Sequence, residues 1–257
     1  MTLLGAAEIR ALAEKLDLKP AKALGQNFVI DANVCRKIVR TAGVTATDIA
    51  LEIGPGLGSL TLALLDEAAS VVAIEIDQRL ATQLPITAAN HSDRASHLTV
   101  INNDALAIRT LDVAPTVLVA NLPYNVSVPV FLHLLEFFPT LRTGVVMVQA
   151  EVADRLAGKP NSKEYGIPSV KAAWWADVTG AGSVSRSIFW PAPNVENSEI
   201  LNASEAVARV KGAYGKNAES LRKMLYERGF MGEKDYVTRS ESALNGAILK
   251  SANEHSV

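Results

Sequence analysis

Apolar positions follow two rhythms along the chain. Short runs that are largely apolar, at residues 49–53, 70–76, 98–102, 116–120 and 144–148, alternate with stretches of helical spacing near 58–68, 78–84, 126–138 and 150–157. Strands without a polar face have to be covered on both sides, and strands separated by helices run parallel. The pattern therefore predicts a doubly wound, Rossmann-like α/β domain. Ahead of it, residues 6–18 place Ile9, Leu12, Ala13 and Leu16 on one helix face, and residues 31–42 read as a second helix, capped by Asp31 and stopped near Gly43. Residues 172–190 read as a hairpin turning at 179–182, which would extend the sheet with antiparallel strands. Beyond about residue 200 the pattern turns polar and helical, over 203–229 and 239–251. The expected division is 1–199 for the α/β domain with its N-terminal helical segment and 200–257 for a small helical C-terminal domain.

Composition narrows the class. With 257 residues, 49% of them apolar, the chain can bury a sizeable core, which excludes disorder. A formal net charge of −2 excludes a uniformly basic nucleic-acid coat. Charge is nevertheless segregated: residues 1–43 carry 7 Lys and Arg against 4 Asp and Glu, and residues 44–140 carry 3 against 10. A basic N-terminal segment can thus meet phosphates locally while the acidic middle does something else. Cys35 is the single cysteine, so an intrachain disulfide is excluded, and His91, His97, His133 and His255 lack zinc spacing. The N-terminus has no secretory pattern and no run approaches a membrane span, so the expectation is a cytoplasmic protein with no membrane partner.

Chemistry enters at the end of the first strand. Leu51-Glu-Ile-Gly-Pro-Gly-Leu-Gly58 opens a helix, and its glycines permit a tight turn and close approach of a ligand to the backbone. Glu75, closing the second strand, is placed to accept both hydroxyls of a ribose. A dinucleotide and S-adenosylmethionine both suit this much. Counted from Gly54, however, the sixth position of G-x-G-x-x-G is Ser59, which breaks the dinucleotide fingerprint. Glu52 would also repel a pyrophosphate while attracting the positive sulfonium or amino group of S-adenosylmethionine. Asp104, after the third strand, can accept from an adenine amino group. Gln26-Asn27-Phe28, beside Lys19 and Lys22, can cover the cofactor and touch phosphates.

Asn121-Leu-Pro-Tyr124 ends the fourth strand, on the ligand side of such a sheet. Its residue types suit methylation of an exocyclic amine, whose lone pair is delocalised into the base. The Asn121 oxygen and the Leu122 carbonyl can each accept an N–H, drawing the nitrogen towards sp³ geometry. Pro123 fixes the turn and Tyr124 offers a stacking face. Phe189, in Phe-Trp-Pro-Ala-Pro193, can supply the second slab around an extruded base, or pack in the core.

These residues resemble the ribosomal RNA adenine N6-dimethyltransferases, and most closely the bacterial small-subunit enzymes. The likeness is carried by Leu24-Gly-Gln-Asn-Phe28, Glu52-Ile-Gly-Pro-Gly56, Glu75-Ile-Asp77, Asp104, Asn121-Leu-Pro-Tyr-Asn-Val-Ser127, Asn161-Ser-Lys-Glu-Tyr-Gly166 and Phe189-Trp-Pro-Ala-Pro-Asn-Val195. The resemblance implies S-adenosylmethionine as cofactor, held by Asn27, Val29, Gly54, Glu75, Asp104 and Asn121. It implies a target base held by Asn121, Leu122, Pro123, Tyr124 and Phe189. The implied partner is small-subunit rRNA within an immature ribosomal particle, two adjacent adenines in a 3′-end hairpin each receiving two methyl groups from a monomeric enzyme. Departures cluster late: Ala150 and Asn197 replace an expected Lys and Ser, polar Glu196-Asn-Ser-Glu199 stands where an apolar strand should follow, and Asn217, Ala218 and Glu219 occupy three basic positions. They leave open an assembly factor with weak methyltransferase activity. A large-subunit enzyme of the macrolide-resistance type and a nicotinamide dehydrogenase are the other competing readings.

Overall fold

The computed structural model describes residues 2–18, 27–123 and 126–191, and the backbone of 205–211. Its elements run α1 (Ala6–Lys15), β1 (Phe28–Val29), α2 (Ala32–Ala42), β2 (Ile49–Ile53), α3 (Ser59–Glu67), β3 (Ser70–Glu75), α4 (Gln78–His91), β4 (Leu98–Asn102), β5 (Val117–Asn121), α5 (Ser127–Phe137), β6 (Thr143–Gln149), α6 (Ala150–Ala157), α7 (Ile167–Trp175), β7 (Asp177–Val184), β8 (Phe189–Trp190) and β9 (Glu205–Lys211). Seven strands form one sheet in the order β4-β3-β2-β5-β6-β9-β7. The first five are parallel, and β9 is antiparallel to both its neighbours.

The all-apolar strands are explained by where their alternate residues go. Leu51, Ile53, Leu118, Ala120, Val146 and Val148 pack on one face against α5, α6 and α7 through Phe131, Leu135, Leu156 and Trp174. Ala50, Val117, Val119, Val145 and Met147 pack on the other against α2 and α3 through Cys35, Ile38, Val39, Leu60 and Leu64. The expected α2 forms as its sequence dictates: the Asp31 carboxylate accepts from the N–H groups of Asn33 and Val34, and Gly43 ends it at φ 68°.

Three expectations change. Pro85 does not end α4, which continues to His91. Proline withholds one N–H from the Ala81 carbonyl, but Leu84, Thr87 and Ala88 are buried around it, so packing carries the helix across the break. Nor is there a hairpin over 172–190: α7 takes its first part, with a proline in the first turn and Trp174 and Trp175 buried. β7 then runs through Gly180 and Gly182, which accommodate a register shift between Gly180 and Ser183 instead of a reversal. Finally, Glu205–Lys211 is a strand, not the start of a helix, and it lies inside the sheet. The sheet therefore extends past the expected boundary at 200. The rest of the expected C-terminal domain, with positions 217–219, lies outside the described residues, as do Asn197 and the 196–199 segment. No described helix is long and apolar enough to cross a membrane.

Candidate active site

The chain leaves β2 towards β3 and β4 on one side, and leaves β5 towards β6 on the other. Between β2 and β5 the sheet therefore opens a crevice at the strands' C-terminal ends. A cavity of about 240 Å³ occupies it, lined by Asn27, Val29, Glu52, Gly54, Glu75, Asp104, Asn121, Leu122 and Pro123 among others. All six expected cofactor positions are thus brought together, along with three of the five expected target-base positions. Tyr124 lies outside the described residues, as do Gln26, Lys19 and Lys22.

The glycine turn owes its shape to two positions. Gly54 has φ 64° and Gly56 φ 58°, left-handed values that L side chains rarely adopt. A Cβ on Gly56 would also stand 2.9 Å from the Phe28 ring, so β1 lies directly against the turn. The Gly56 N–H donates to Glu75 Oε2 at 3.1 Å, and the Asp77 N–H donates to Glu75 Oε1 at 2.9 Å. These bonds fix the carboxylate and leave a lone pair on each oxygen for a pair of hydroxyls. Burial pushes Glu75 above the usual carboxylate range, and the two backbone donors oppose that shift.

Glu52 is more extreme. Its side chain is 1% exposed and its Oε2 has no hydrogen-bond partner. Burial pushes its carboxyl up to about 8; the nearby Thr61 hydroxyl, itself outside normal hydrogen-bond geometry, opposes the shift, and the Glu75 charge adds to it. An unsatisfied buried acceptor and a carboxylate with a lone pair left on each oxygen, on one wall, fit a ligand with a cationic centre, a pair of hydroxyls and no phosphate. At the other end Asp104 accepts from the Leu106 N–H at 2.9 Å, leaving its second oxygen for a donor from the ligand.

Asn121 closes β5 with its amide oriented: Nδ2 donates to the Asn27 carbonyl at 2.9 Å, which leaves Oδ1 as the free acceptor. The Leu122 N–H is spent on the Met147 carbonyl at 3.0 Å. Phe189 is not brought to the cavity. In the short β1–β8 pair it stands opposite Val29, and it is buried with Val184, Ile188, Val145 and Met147. The core alternative for that ring is the one the structure takes.

Several cavity residues escaped the sequence reading, two of them exposed apolar side chains. Ile76 is 66% exposed and Leu106 37%, and both line the cavity. They offer apolar surface for a flat base next to the Asp104 acceptor. The available signal was an apolar residue just after a strand-ending carboxylate, where the chain leaves the core.

A pyrophosphate would face the Glu52 and Glu75 carboxylates, whereas the same wall suits a nucleoside bearing a positive sulfur. Together with an amide acceptor at the end of β5, this makes the molecule a methyltransferase that uses S-adenosylmethionine. Comparison with known proteins narrows the class. The family model described as ribosomal RNA adenine dimethylase matches residues 18–203, and the chain belongs to that family. It is 62% identical over 198 residues to a ribosomal RNA small subunit methyltransferase A from Leifsonia xyli, covering 77% of this chain and 71% of that one. It is 51% identical over 259 residues to the protein of the same description from Streptomyces coelicolor, covering 95% and 89%. Among solved structures it is similar to a dimethyladenosine transferase from Plasmodium falciparum, with TM-score 0.62 and 25% identity over 85% of this chain and 77% of that one. The 23S rRNA methyltransferase ErmE matches with TM-score 0.61 and 26% identity, over 78% of each chain.

Proposed function

We propose that this chain transfers two methyl groups to the N6 amine of each of two adjacent adenines in a hairpin near the 3′ end of small-subunit rRNA. It acts as a monomer on an immature small ribosomal particle in the cytoplasm. The observation that carries the reading is the Asn121 amide, whose nitrogen is held by the Asn27 carbonyl so that its oxygen is the acceptor left for an incoming amine. Identities of 62% and 51% to proteins described as small-subunit enzymes, against 26% to ErmE, favour the small-subunit substrate.

S-adenosylmethionine, held by Asn27, Val29, Gly54, Glu75, Asp104 and Asn121, supplies a methyl group on a cationic sulfur. Asn121 Oδ1 and the Leu122 carbonyl hold the two N–H groups of the amine, which draws the lone pair out of conjugation and aims it at the methyl carbon. Attack by that nitrogen would form the N–C bond as the donor's S–C bond breaks, and the positively charged amine would then release its proton to water. Tyr124, which lies outside the described residues, is the side chain whose ring would stack on the extruded base. Primer extension on rRNA from cells lacking this protein, and then regaining it, tests the assignment. Two adjacent stops in the 3′-end hairpin are expected only after it is restored; stops elsewhere in small-subunit rRNA, or in large-subunit rRNA, would replace the assignment.

A further inference from the structure

Trp190 lines no part of the cavity, yet three contacts connect it to the reacting end of β5. β1 and β8 form a ribbon of their own, with Phe28 opposite Trp190, and the two rings stack with centroids 6.4 Å apart and planes 22° from parallel. The Phe28 ring covers Gly56 so closely that a Cβ there would meet it at 2.9 Å. The residue before Phe28 is Asn27, whose carbonyl orients the Asn121 amide. A ribbon two residues long has too few backbone bonds to hold its own place. Beyond them, the Ile30 N–H donates to the Ile188 carbonyl at 2.7 Å, the Asn27 carbonyl joins the ribbon to Asn121, Phe28 and Val29 are buried, and the ring stack ties Phe28 to β8.

We infer that Trp190 is a positioning residue for methyl transfer: its stack on Phe28 fixes β1 against the glycine turn, which sets the Asn27 carbonyl and through it the direction of the Asn121 amide oxygen. Phe189 beside it serves the core, so of the two neighbouring aromatics the one matched to the target base packs inside and the other braces the strap over the cofactor. This inference rests on the function proposed above.

The test is single-turnover methyl transfer by full-length Trp190→Leu and Trp190→Phe, each made in wild-type and Asn121→Ala backgrounds. Trp190→Leu keeps apolar bulk without a flat ring, so the protein folds while the stack is lost. It should slow transfer about 10- to 100-fold in the wild-type background, since small displacements of a positioning group cost on that order. In the Asn121→Ala background it should slow transfer less than about twofold, because residues that act through one another are not additive. Trp190→Phe, which keeps a stacking ring, should stay within about threefold of wild type. Equal slowing in both backgrounds, or no rescue by Phe, would overturn the inference. A second arm needs no turnover: titration with S-adenosylhomocysteine should show several-fold weaker binding to Trp190→Leu, because Asn27 and Val29 line its cavity, and unchanged binding would also overturn it. A wild-type protein that bound S-adenosylhomocysteine and left rRNA unmodified would sink the methyl-transfer reading, and the titration would still decide the strap.

Discussion

Glu52 brings a titratable group to the cofactor wall. Buried and unpaired at Oε2, its carboxyl titrates at about 8, so near neutral pH the unliganded protein holds it mostly protonated. A cationic ligand favours the ionised form, and binding then releases a proton. Affinity for S-adenosylmethionine should therefore rise as pH approaches about 8 and level off above it. Glu52→Gln should flatten that rise, as read by calorimetry across pH. The same group sets a stability slope. In the unfolded chain it titrates near 4.5, so the folded protein keeps a proton the unfolded one has lost, and stability falls as pH rises from about 4.5 to about 8. Glu75 and Asn121 separate binding from chemistry. Glu75→Ala should weaken S-adenosylhomocysteine binding by at least about 10- to 100-fold, the loss expected if even one of its two hydroxyl bonds counts in full at roughly 1.5–3 kcal/mol per hydrogen bond to a charged group. Asn121→Ala should lower the single-turnover rate by roughly 100-fold while weakening cofactor binding much less. At this scale the sequence was informative where a motif fixes a residue's neighbours, as with Glu75 and Asn121. It was silent on Glu52 Oε2, whose lack of a donor exists only once α3 has packed over it, and on Ile76 and Leu106, whose exposure depends on the loops around them.

At the scale of elements, the turn between β2 and α3 carries the cofactor end of the site. Gly56→Ala places a side chain at φ 58° and drives it into the Phe28 ring. The left-handed conformation alone costs about 1–2 kcal/mol, so urea denaturation should show at least that loss, with weakened S-adenosylhomocysteine binding. Gly180→Ala is the contrast: nothing lies within 4 Å of its Cβ, and stability should change by less than about 0.5 kcal/mol. The parallel strands were legible because both their faces are apolar, and α2 because Asp31 and Gly43 mark its ends. What failed were positions where one residue type serves two structures. Helical spacing reads only as far as residue 84, yet tertiary packing carries α4 through Pro85 to His91, and the glycines of β7 read as a turn but permit a bulge. β9 was missed because Glu205-Ala-Val-Ala-Arg-Val-Lys211 suits a helix locally, and only the open edges of β6 and β7 draw it into the sheet.

Across the whole molecule, the site and the clamp on the sheet lie at opposite ends of the strands. Ahead of β2, the buried Asp48 carboxylate accepts from the Arg142 guanidinium, the Thr116 hydroxyl, and the hydroxyl and N–H of Thr45, which joins the entries to β2, β5 and β6. Burial pulls its pKa upward, but those donors outweigh it and hold the carboxyl well below the usual range. The stability it supplies is complete above the ordinary value of 3.8 and drains away as pH falls below it, the reverse of Glu52. Asp48→Ala should cost about 1–3 kcal/mol in denaturation and leave the transfer rate of the folded enzyme unchanged.

The division between a distant clamp and a switch-point site leads to one decisive measurement. Small ribosomal subunits from cells lacking this methylation, incubated with the purified chain and methyl-labelled S-adenosylmethionine, should take up label as N6,N6-dimethyladenine at two adjacent positions of the rRNA, and Asn121→Ala should take up almost none. Label appearing equally with Asn121→Ala, or no label from a wild-type chain that binds the cofactor, would contradict the account.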